Sequence, residues 1–267
     1  LLHVPFLLRC LALVLVILVL ARPQTTNKWQ NSEIEGIDIM LAIDVSTSML
    51  AEDLKPNRLE AAKDVAAEFI NGRPNDNIGI TLFAGETFTQ CPLTVDHAVL
   101  LDMIHNIKCG LITDGTAVGM GIANAVTRLK DSKAKSKVII LLTDGTNNKG
   151  DISPMTAAEI AKSFGIRVYT IGVGTNGMAP YPYPVGNTVQ YVSMPVEIDE
   201  KTLTEIAGTT DGNYFRATSN SKLKEVYEEI DKLEKTKLNV KEYSKRDEEY
   251  HWFALAAFLC VLLEVLL

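Results

Sequence analysis

The sequence predicts an α/β domain with a doubly wound, mostly parallel sheet and helices on both faces, flanked by transmembrane helices. Short runs of β-branched and other apolar residues alternate with segments of helical periodicity, which is typical of βαβ units. The short runs are apolar on both faces, as expected for strands that helices cover on each side. A longer apolar segment near each end of the chain predicts the membrane spans.

The predicted elements follow one another in a regular order. Buried strands are predicted at Ile37–Ile43, Ile78–Phe83, Val138–Leu142 and Val168–Val173. Helices are predicted at Arg58–Asn71, Asp96–Ile107, Gly119–Leu129, Thr156–Phe164, Asp199–Ala207 and Ser221–Leu233. Edge strands are expected at Thr87–Gln90, as part of an antiparallel hairpin, and at Asn213–Ala217. The Pro/Tyr-rich segment 176–195 is expected to be a loop, either a second contact surface or a rigid packed loop.

Both ends of the chain carry apolar segments. Val4–Ala21 is apolar except for Arg9 and approaches the roughly 20 residues that span a bilayer. A signal peptide is the alternative, although Arg22-Pro23 is a poor context for processing. Trp252–Leu267 follows an interfacial Tyr250 and predicts a second span, with a buried soluble helix as the alternative. Because the chain stops inside this run, we expect it to be a fragment of a longer protein.

These segments divide the chain into five predicted parts. They are a transmembrane helix at 4–21, a linker at 22–35, the α/β domain at 36–233, a charged stalk at 234–250 and the truncated start of a second transmembrane helix at 251–267. Two spans would place the domain on one side of the membrane. The basic residues that flank the domain weakly favour the cytoplasmic side under the positive-inside rule.

Composition excludes one class of partner. The net charge is -7 at pH 7, so the chain has no basic excess of the kind that nucleic-acid binding requires. Cys91 and Cys109 lie in the predicted domain. Two free thiols are the expected state, because a disulfide would require an oxidising compartment.

Polar side chains follow the first predicted strand, where it leaves the sheet. Asp44, Ser46 and Ser48 are two residues apart, so they point the same way while the chain stays extended. Thr116 before a helix and Asp144 after another strand are expected at the same edge, where ligands of α/β sheets bind. Oxygen ligands favour a hard cation, Mg²⁺ or Mn²⁺. Taken alone, the first three residues would also fit an Asx-turn or a helix N-cap.

The sequence carries no pattern typical of a catalytic site. It contains no G-x-S-x-G, H-E-x-x-H or Walker motif, and none of its four histidines lies near the predicted strand ends. Residues 172–177 match G-x-G-x-x-G, but a Pro-rich stretch follows instead of the helix that pyrophosphate binding requires. We therefore expect no catalytic residue and no nucleotide cofactor. Alternatives are a Mg²⁺-dependent phosphohydrolase and a purely structural assembly subunit.

The pattern Asp44-x-Ser46-x-Ser48, then Thr116, then Asp144 resembles the metal-ion-dependent adhesion site (MIDAS) of von Willebrand factor A domains, which are doubly wound, Rossmann-like folds. The resemblance covers about residues 36–233. It implies that Ser46, Ser48 and Thr116 bind the metal directly and that Asp44 and Asp144 act mostly through water. It also implies that the sixth position accepts a carboxylate from a partner protein.

A closer resemblance comes from three tracts, the first of which begins at Ser48 of the metal-site pattern. They are Ser48–Lys63, GVGTNGMAPYP and the segment from YFRATS to KEVYEEIDKLEKT. These tracts look like the BatA-type membrane proteins of bacterial aerotolerance operons. The resemblance implies a bacterial inner-membrane protein with a periplasmic domain, working with other Bat proteins and a MoxR-type ATPase.

Overall fold

The computed structural model describes residues 36–239 except 186–187, together with a few residues nearer the ends. Those are residues 11, 13–15, 17, 19–20, 24–25, 247–248, 254–256, 259 and 262–263. The chain forms two compact units, one of residues 34–240 and one of residues 1–33 with 241–267.

The unit formed by the two ends contains one short strand pair. Strand β1 (Gln24–Thr25) pairs antiparallel with β10 (Asp247–Glu248). Among the described residues, no helix combines the length and the apolar character that crossing a bilayer requires. The segments predicted as spans, 4–21 and 251–267, lie largely outside the described residues, as do most of the linker and the stalk. The membrane spans therefore stay predictions.

The larger unit is built on a six-stranded sheet. Its strands are β2 (Asp38–Asp44), β3 (Asn77–Phe83), β4 (Thr87–Thr94), β5 (Lys137–Thr143), β6 (Ile166–Val173) and β9 (Tyr214–Ala217). They lie in the order β4-β3-β2-β5-β6-β9, and only β4 runs antiparallel to its neighbour within this sheet. The doubly wound, mostly parallel sheet that the sequence predicts is confirmed. Strand order reverses between β2 and β5, which is where such sheets bind ligands.

Six helices of the described domain cover this sheet. They are α1 (Arg58–Asn71), α2 (His97–His105), α3 (Val118–Leu129), α4 (Pro154–Ser163), α5 (Glu200–Thr209) and α6 (Asn220–Asn239). Side chains of Asn57, Asp96, Ser153 and Asp199 cap four of them by accepting a hydrogen bond from a first-turn N–H. The predicted helices lie at these places, with ends shifted by a few residues.

Strand β2 is apolar on both faces because helices cover each face of the sheet. Ile39, Leu41 and Ile43 pack in one core cluster with α1 and α6, whereas Met40 and Ala42 pack in a second cluster with α3, α4 and α5. Successive strand residues point to opposite faces, so a sheet covered on both sides needs apolar residues at every position. In β2 the polar residues, Asp38 and Asp44, accordingly stand at the two ends of the strand.

The segment predicted as a loop at 176–195 is instead a β-hairpin. Strands β7 (Met178–Val185) and β8 (Thr188–Pro195) pair antiparallel in a separate two-stranded sheet. Pro180, Pro182 and Pro184 obscured the strand pattern, because proline lacks the N–H that a paired strand donates. Proline is tolerated where its nitrogen faces away from the neighbouring strand.

The domain packing also extends past the boundary predicted at residue 233. Glu234 falls in the predicted stalk, yet it is buried and accepts hydrogen bonds from Tyr169, Arg167 and Ser136. Helix α6 continues to Asn239. The sequence near Glu234 is polar and gave no indication that this residue is buried. Its hydrogen-bond partners are distant in the sequence, so no local pattern relates them to it.

Candidate metal centre

Asp44 ends β2 and is held on both of its carboxylate oxygens. Its Oδ1 accepts a hydrogen bond from the Ser46 amide at 2.9 Å, and its Oδ2 accepts one from Thr143 Oγ1 at 2.6 Å. Thr143 is the last residue of β5, the neighbouring strand. These contacts fix the carboxylate, which is fully buried, at the point where the strand order reverses.

The two serines meet because the chain turns. The expectation of extended backbone is wrong beyond Ser46, since Thr47–Leu50 forms a 3₁₀ helix. The Ser46 and Ser48 hydroxyl oxygens nevertheless lie 2.9 Å apart, and Ser48 Oγ donates to Asp144 Oδ1 at 2.6 Å. The turn therefore brings both hydroxyls and the Asp144 carboxylate into one cluster.

Thr116 lies beside this cluster, just before α3. Its amide donates to Asn148 Oδ1 at 2.9 Å, and its carbonyl accepts from the Asn148 amide at 3.0 Å. A β-carbon added to Gly145 would lie 3.4 Å from Thr116 Oγ1, so the hydroxyl sits next to the Asp144-Gly145 turn. All five residues singled out in the sequence are thus located at one edge of the sheet.

The charges at this edge are unbalanced. Burial raises the pKa of Asp44, and the nearby charge of Asp144 raises it further, to about 7. Burial also raises the pKa of Asp144, although Arg58 opposes the shift. Arg58 pairs with Asp144 and Asp53 rather than with Asp44, so the buried carboxylates at this edge leave negative charge that a cation would compensate.

The donor set fits a hard divalent cation. Among the described residues, no group of three or more His, Cys, Asp or Glu side chains is suited to hold a metal ion, so a site here must include hydroxyls. Ser46, Ser48 and Thr116 supply three hydroxyl oxygens, and Asp44 and Asp144 supply carboxylates. Oxygen-only donors suit Mg²⁺ or Mn²⁺ best.

Arg58 is a residue of this centre that the sequence analysis missed. Its Nη1 donates to Asp144 Oδ2 at 2.6 Å and to the Tyr181 hydroxyl at 3.2 Å. Its Nε and Nη2 donate to the two carboxylate oxygens of Asp53, each at 2.7 Å. The guanidinium therefore fixes Asp144 and links the candidate metal centre to hairpin strand β7.

Asp114 and Cys109 complete the surroundings. Asp114 accepts hydrogen bonds from the Thr47 amide and hydroxyl at 3.0 and 2.8 Å, which fixes the 3₁₀ turn between the two serines. The Cys109 thiol donates to the Ser46 carbonyl at 3.4 Å. Burial first, and then the charges of Asp44 and Asp144, raise the pKa of this thiol to about 12. Cys91 and Cys109 are both unpaired.

The family model of the von Willebrand factor type A domain matches residues 38–229. The chain belongs to this family. A solved protein from Bacteroides thetaiotaomicron, described as BatB, is 34% identical, with a TM-score of 0.66 over 75% of this chain and all of that one. An aerotolerance-related membrane protein from Bacteroides fragilis is 32% identical, with a TM-score of 0.65 over 74% of this chain and 98% of that one.

A third solved protein that is similar to this chain contains a metal. Proximal thread matrix protein 1 from the mussel byssus is described with a zinc-occupied MIDAS motif. It is 25% identical, with a TM-score of 0.59 over 74% of this chain and 46% of that one. Divalent-metal binding is therefore found on this fold in a protein similar to this chain.

Proposed function

We propose that this von Willebrand factor A domain binds Mg²⁺ or Mn²⁺ at Asp44, Ser46, Ser48, Thr116 and Asp144 and uses the ion to capture a carboxylate of a partner protein. The observation that carries the proposal is the hydroxyl pair of Ser46 and Ser48, 2.9 Å apart, of which Ser48 donates a hydrogen bond to Asp144. A cation bound there would replace these internal contacts as the partner of all three groups.

The chemistry of the donors favours an acidic ligand. The three hydroxyls are neutral, and Arg58 already neutralises part of the charge of Asp144. A divalent ion in this centre would keep positive charge that attracts an incoming Asp or Glu side chain. The partner's acidic residue would then supply the last oxygen ligand.

The surroundings of the centre suit binding better than catalysis. No described histidine is positioned as a general base at this centre, because both belong to α2. His97 lies with its ring nitrogen 3.0 Å from the Asp76 carbonyl, just before β3, away from the edge where Asp44 lies. Beside the centre, a cleft of about 620 Å³ includes the exposed Phe88 and Leu111. This cleft offers apolar contact area to a protein partner.

The similarity to BatB and to an aerotolerance-related membrane protein supports a place in a bacterial membrane assembly. We propose that the partners are other Bat-type membrane proteins, working with a MoxR-type ATPase. The domain would lie in the periplasm, anchored in the inner membrane by the predicted spans. The proposed partners and location go beyond what the similar proteins show, and they are inferred from the similarity to those proteins.

The test is affinity capture from detergent-solubilised membranes, with Mg²⁺ and with chelator. Wild-type chain should retain its partner only with Mg²⁺, and Ser46→Ala should lose it, because one direct oxygen ligand is gone. Ser163→Ala, at the end of α4, is the matched control and should behave as wild type. Retention of the partner protein both after chelation and in the Ser46→Ala variant would contradict the proposal.

Two alternatives give different results in the same material. A structural subunit would lose thermal stability on chelation without losing partner capture. A Mg²⁺-dependent phosphohydrolase would turn over phosphoesters, and Asp44→Ala would abolish that turnover. Neither outcome is expected here.

A further inference from the structure

The β7–β8 hairpin has two unlike edges. In an antiparallel pair, the N–H and C=O of one residue point to the same side, and this side alternates along the strand. The Pro180 carbonyl accepts a hydrogen bond from the Glu52 amide at 2.9 Å, so this residue turns its backbone away from β8. Pro182 and Pro184 share that orientation because they lie two and four residues further on.

The outer edge of β7 is therefore closed to further pairing. At three of its four outward positions, 180, 182 and 184, the chain has a proline, which has no N–H to donate, and only Met178 at the start of the strand keeps one. Proline on an edge strand is a known protection against pairing with another chain. An added strand would find a backbone donor only at Met178, and the Pro180 carbonyl already accepts from Glu52.

The outer edge of β8 is open. Tyr181 pairs with Val192 and Tyr183 with Gln190, so the odd-numbered Val189, Tyr191 and Ser193 turn their N–H and C=O groups outward. Within the described part of the chain, the β7–β8 sheet has two strands and no third strand pairs with this edge. A run of free donors and acceptors is thus available to an extended segment.

The side chains of β8 suit a particular occupant. Every residue of Thr188–Pro195 is exposed, including the large apolar residues Val189, Tyr191, Val192 and Met194. The strand carries no charged residue, in a chain of net charge -7. Two copies of β8 can therefore face each other without opposed like charges, which destabilise cross-strand pairs.

We propose that β8 is a self-association edge, on which a second copy of this chain adds its own β8 in antiparallel orientation. With Tyr191 opposite Tyr191 of the second copy, Val189 pairs with Ser193 on both sides of the two-fold axis. The result is a four-stranded sheet in the order β7-β8-β8-β7. Both of its outer edges are proline-blocked, so assembly stops at the dimer, as a closed two-fold interface requires.

Cysteine cross-linking of the full chain tests the register. In Tyr191→Cys the two new thiols lie opposite each other, about 5.5 Å apart between Cα atoms, which is within disulfide range. Tyr183→Cys is the matched control, because Tyr183 is 62% exposed and Tyr191 59%. In the four-stranded sheet, residue 183 is separated from its copy by three strand spacings and by two residues along the strand, roughly 16 Å in all. Mild oxidation should give a dimer with Tyr191→Cys and only background with Tyr183→Cys.

A backbone variant tests the hydrogen bonds without using a new thiol. Val189→Pro removes an outward N–H that the hairpin itself does not use, and the two-fold axis doubles the loss. We expect the dimer dissociation constant, measured by analytical ultracentrifugation in detergent, to rise about tenfold or more. Val189→Thr keeps the N–H and should stay within a few-fold of wild type.

Three results would overturn the proposal. They are a monomeric wild-type chain, equal cross-linking of the two cysteine variants, and equal dissociation constants for Val189→Pro and Val189→Thr. Cross-linking of Tyr191→Cys to a different protein in membranes, with no dimer formed, would assign this edge to a foreign strand instead. None of these readouts depends on the metal centre.

Discussion

Arg58 donates hydrogen bonds to two carboxylates while only 1% of its side chain is exposed. Such a group is costly to remove, because its buried partners lose their counter-charge. We expect Arg58→Met to lower the free energy of unfolding by about 3–5 kcal/mol, measured by chemical denaturation. Lys222→Met, which breaks an exposed ion pair with Glu225, should leave the unfolding midpoint nearly unchanged. Equal losses in both variants would contradict this role.

Glu234 gives the domain an acid-sensitive contact. Burial alone would raise the pKa of Glu234, but hydrogen bonds from Arg167, Tyr169 and Ser136 outweigh it and hold the pKa below its ordinary value. A lowered pKa means that the contact stabilises the fold above the ordinary glutamate pKa, and that this stability is lost as pH falls through the folded-state pKa.

The corresponding variant is Glu234→Gln. Its stability deficit relative to wild type should be largest near neutral pH and should shrink as the pH falls below about 4.5. Unfolding curves collected between pH 7 and pH 3 measure this difference. A deficit that stays constant across the range would show that the charge of Glu234 does not matter.

At the residue scale, the sequence predicted the position of the candidate ligands but not their supports. Asp44, Ser46, Ser48, Thr116 and Asp144 stand at strand ends, where spacing is informative, and the structure places them at one edge. Their role as metal ligands stays a prediction. Arg58 and Asp144 are 86 positions apart, and no local pattern relates two such residues. Asp114 lies two residues before Thr116 in a Thr-Asp-Gly-Thr stretch, and this closeness in sequence indicates a place near the candidate ligands.

Helices α3 and α5 differ in the space available at their glycines. A β-carbon at Gly119 would lie 2.1 Å from the Ile152 carbonyl oxygen, whereas one at Gly208 meets nothing within 4 Å. Gly119→Ala should therefore destabilise the domain by about 1–3 kcal/mol through overpacking. Gly208→Ala should stabilise it by about 0.5–1 kcal/mol, because alanine has the better helix propensity. Thermal unfolding should show a lower melting temperature for Gly119→Ala and a higher one for Gly208→Ala. Shifts of the melting temperature in the same direction would contradict the packing argument.

At the element scale, strands and helices with a clear hydrophobic period could be predicted to within a few residues. The β7–β8 hairpin could not, because its exposed apolar residues and alternating prolines match neither a buried strand nor an amphipathic one. Strand β4 runs to Thr94, beyond the predicted Gln90, and includes Pro92. Proline is accommodated there because β4 is an edge strand.

The whole domain depends on two apolar layers that share one sheet. Ile139 and Ile140 are neighbours in β5, yet they belong to different core clusters. We expect Ile139→Ala and Ile140→Ala each to cost about 2–5 kcal/mol of unfolding free energy, because both leave a cavity. Val192→Ala in the exposed hairpin should cost far less. A large loss at only one of the two isoleucines would mean that one layer contributes little.

The position of β2 in the sheet has a mechanical consequence. Strand β2 is the first strand of the larger unit and runs from Asp38 directly to Asp44, with Ser46 just beyond the end of the strand. Strands β3 and β5 pair with β2 along its length on either side. A force applied between Gly36 and a partner bound at Ser46 would act along the axis of β2. The hydrogen bonds of β2 to both β3 and β5 would then have to break together before the strand could move along its axis.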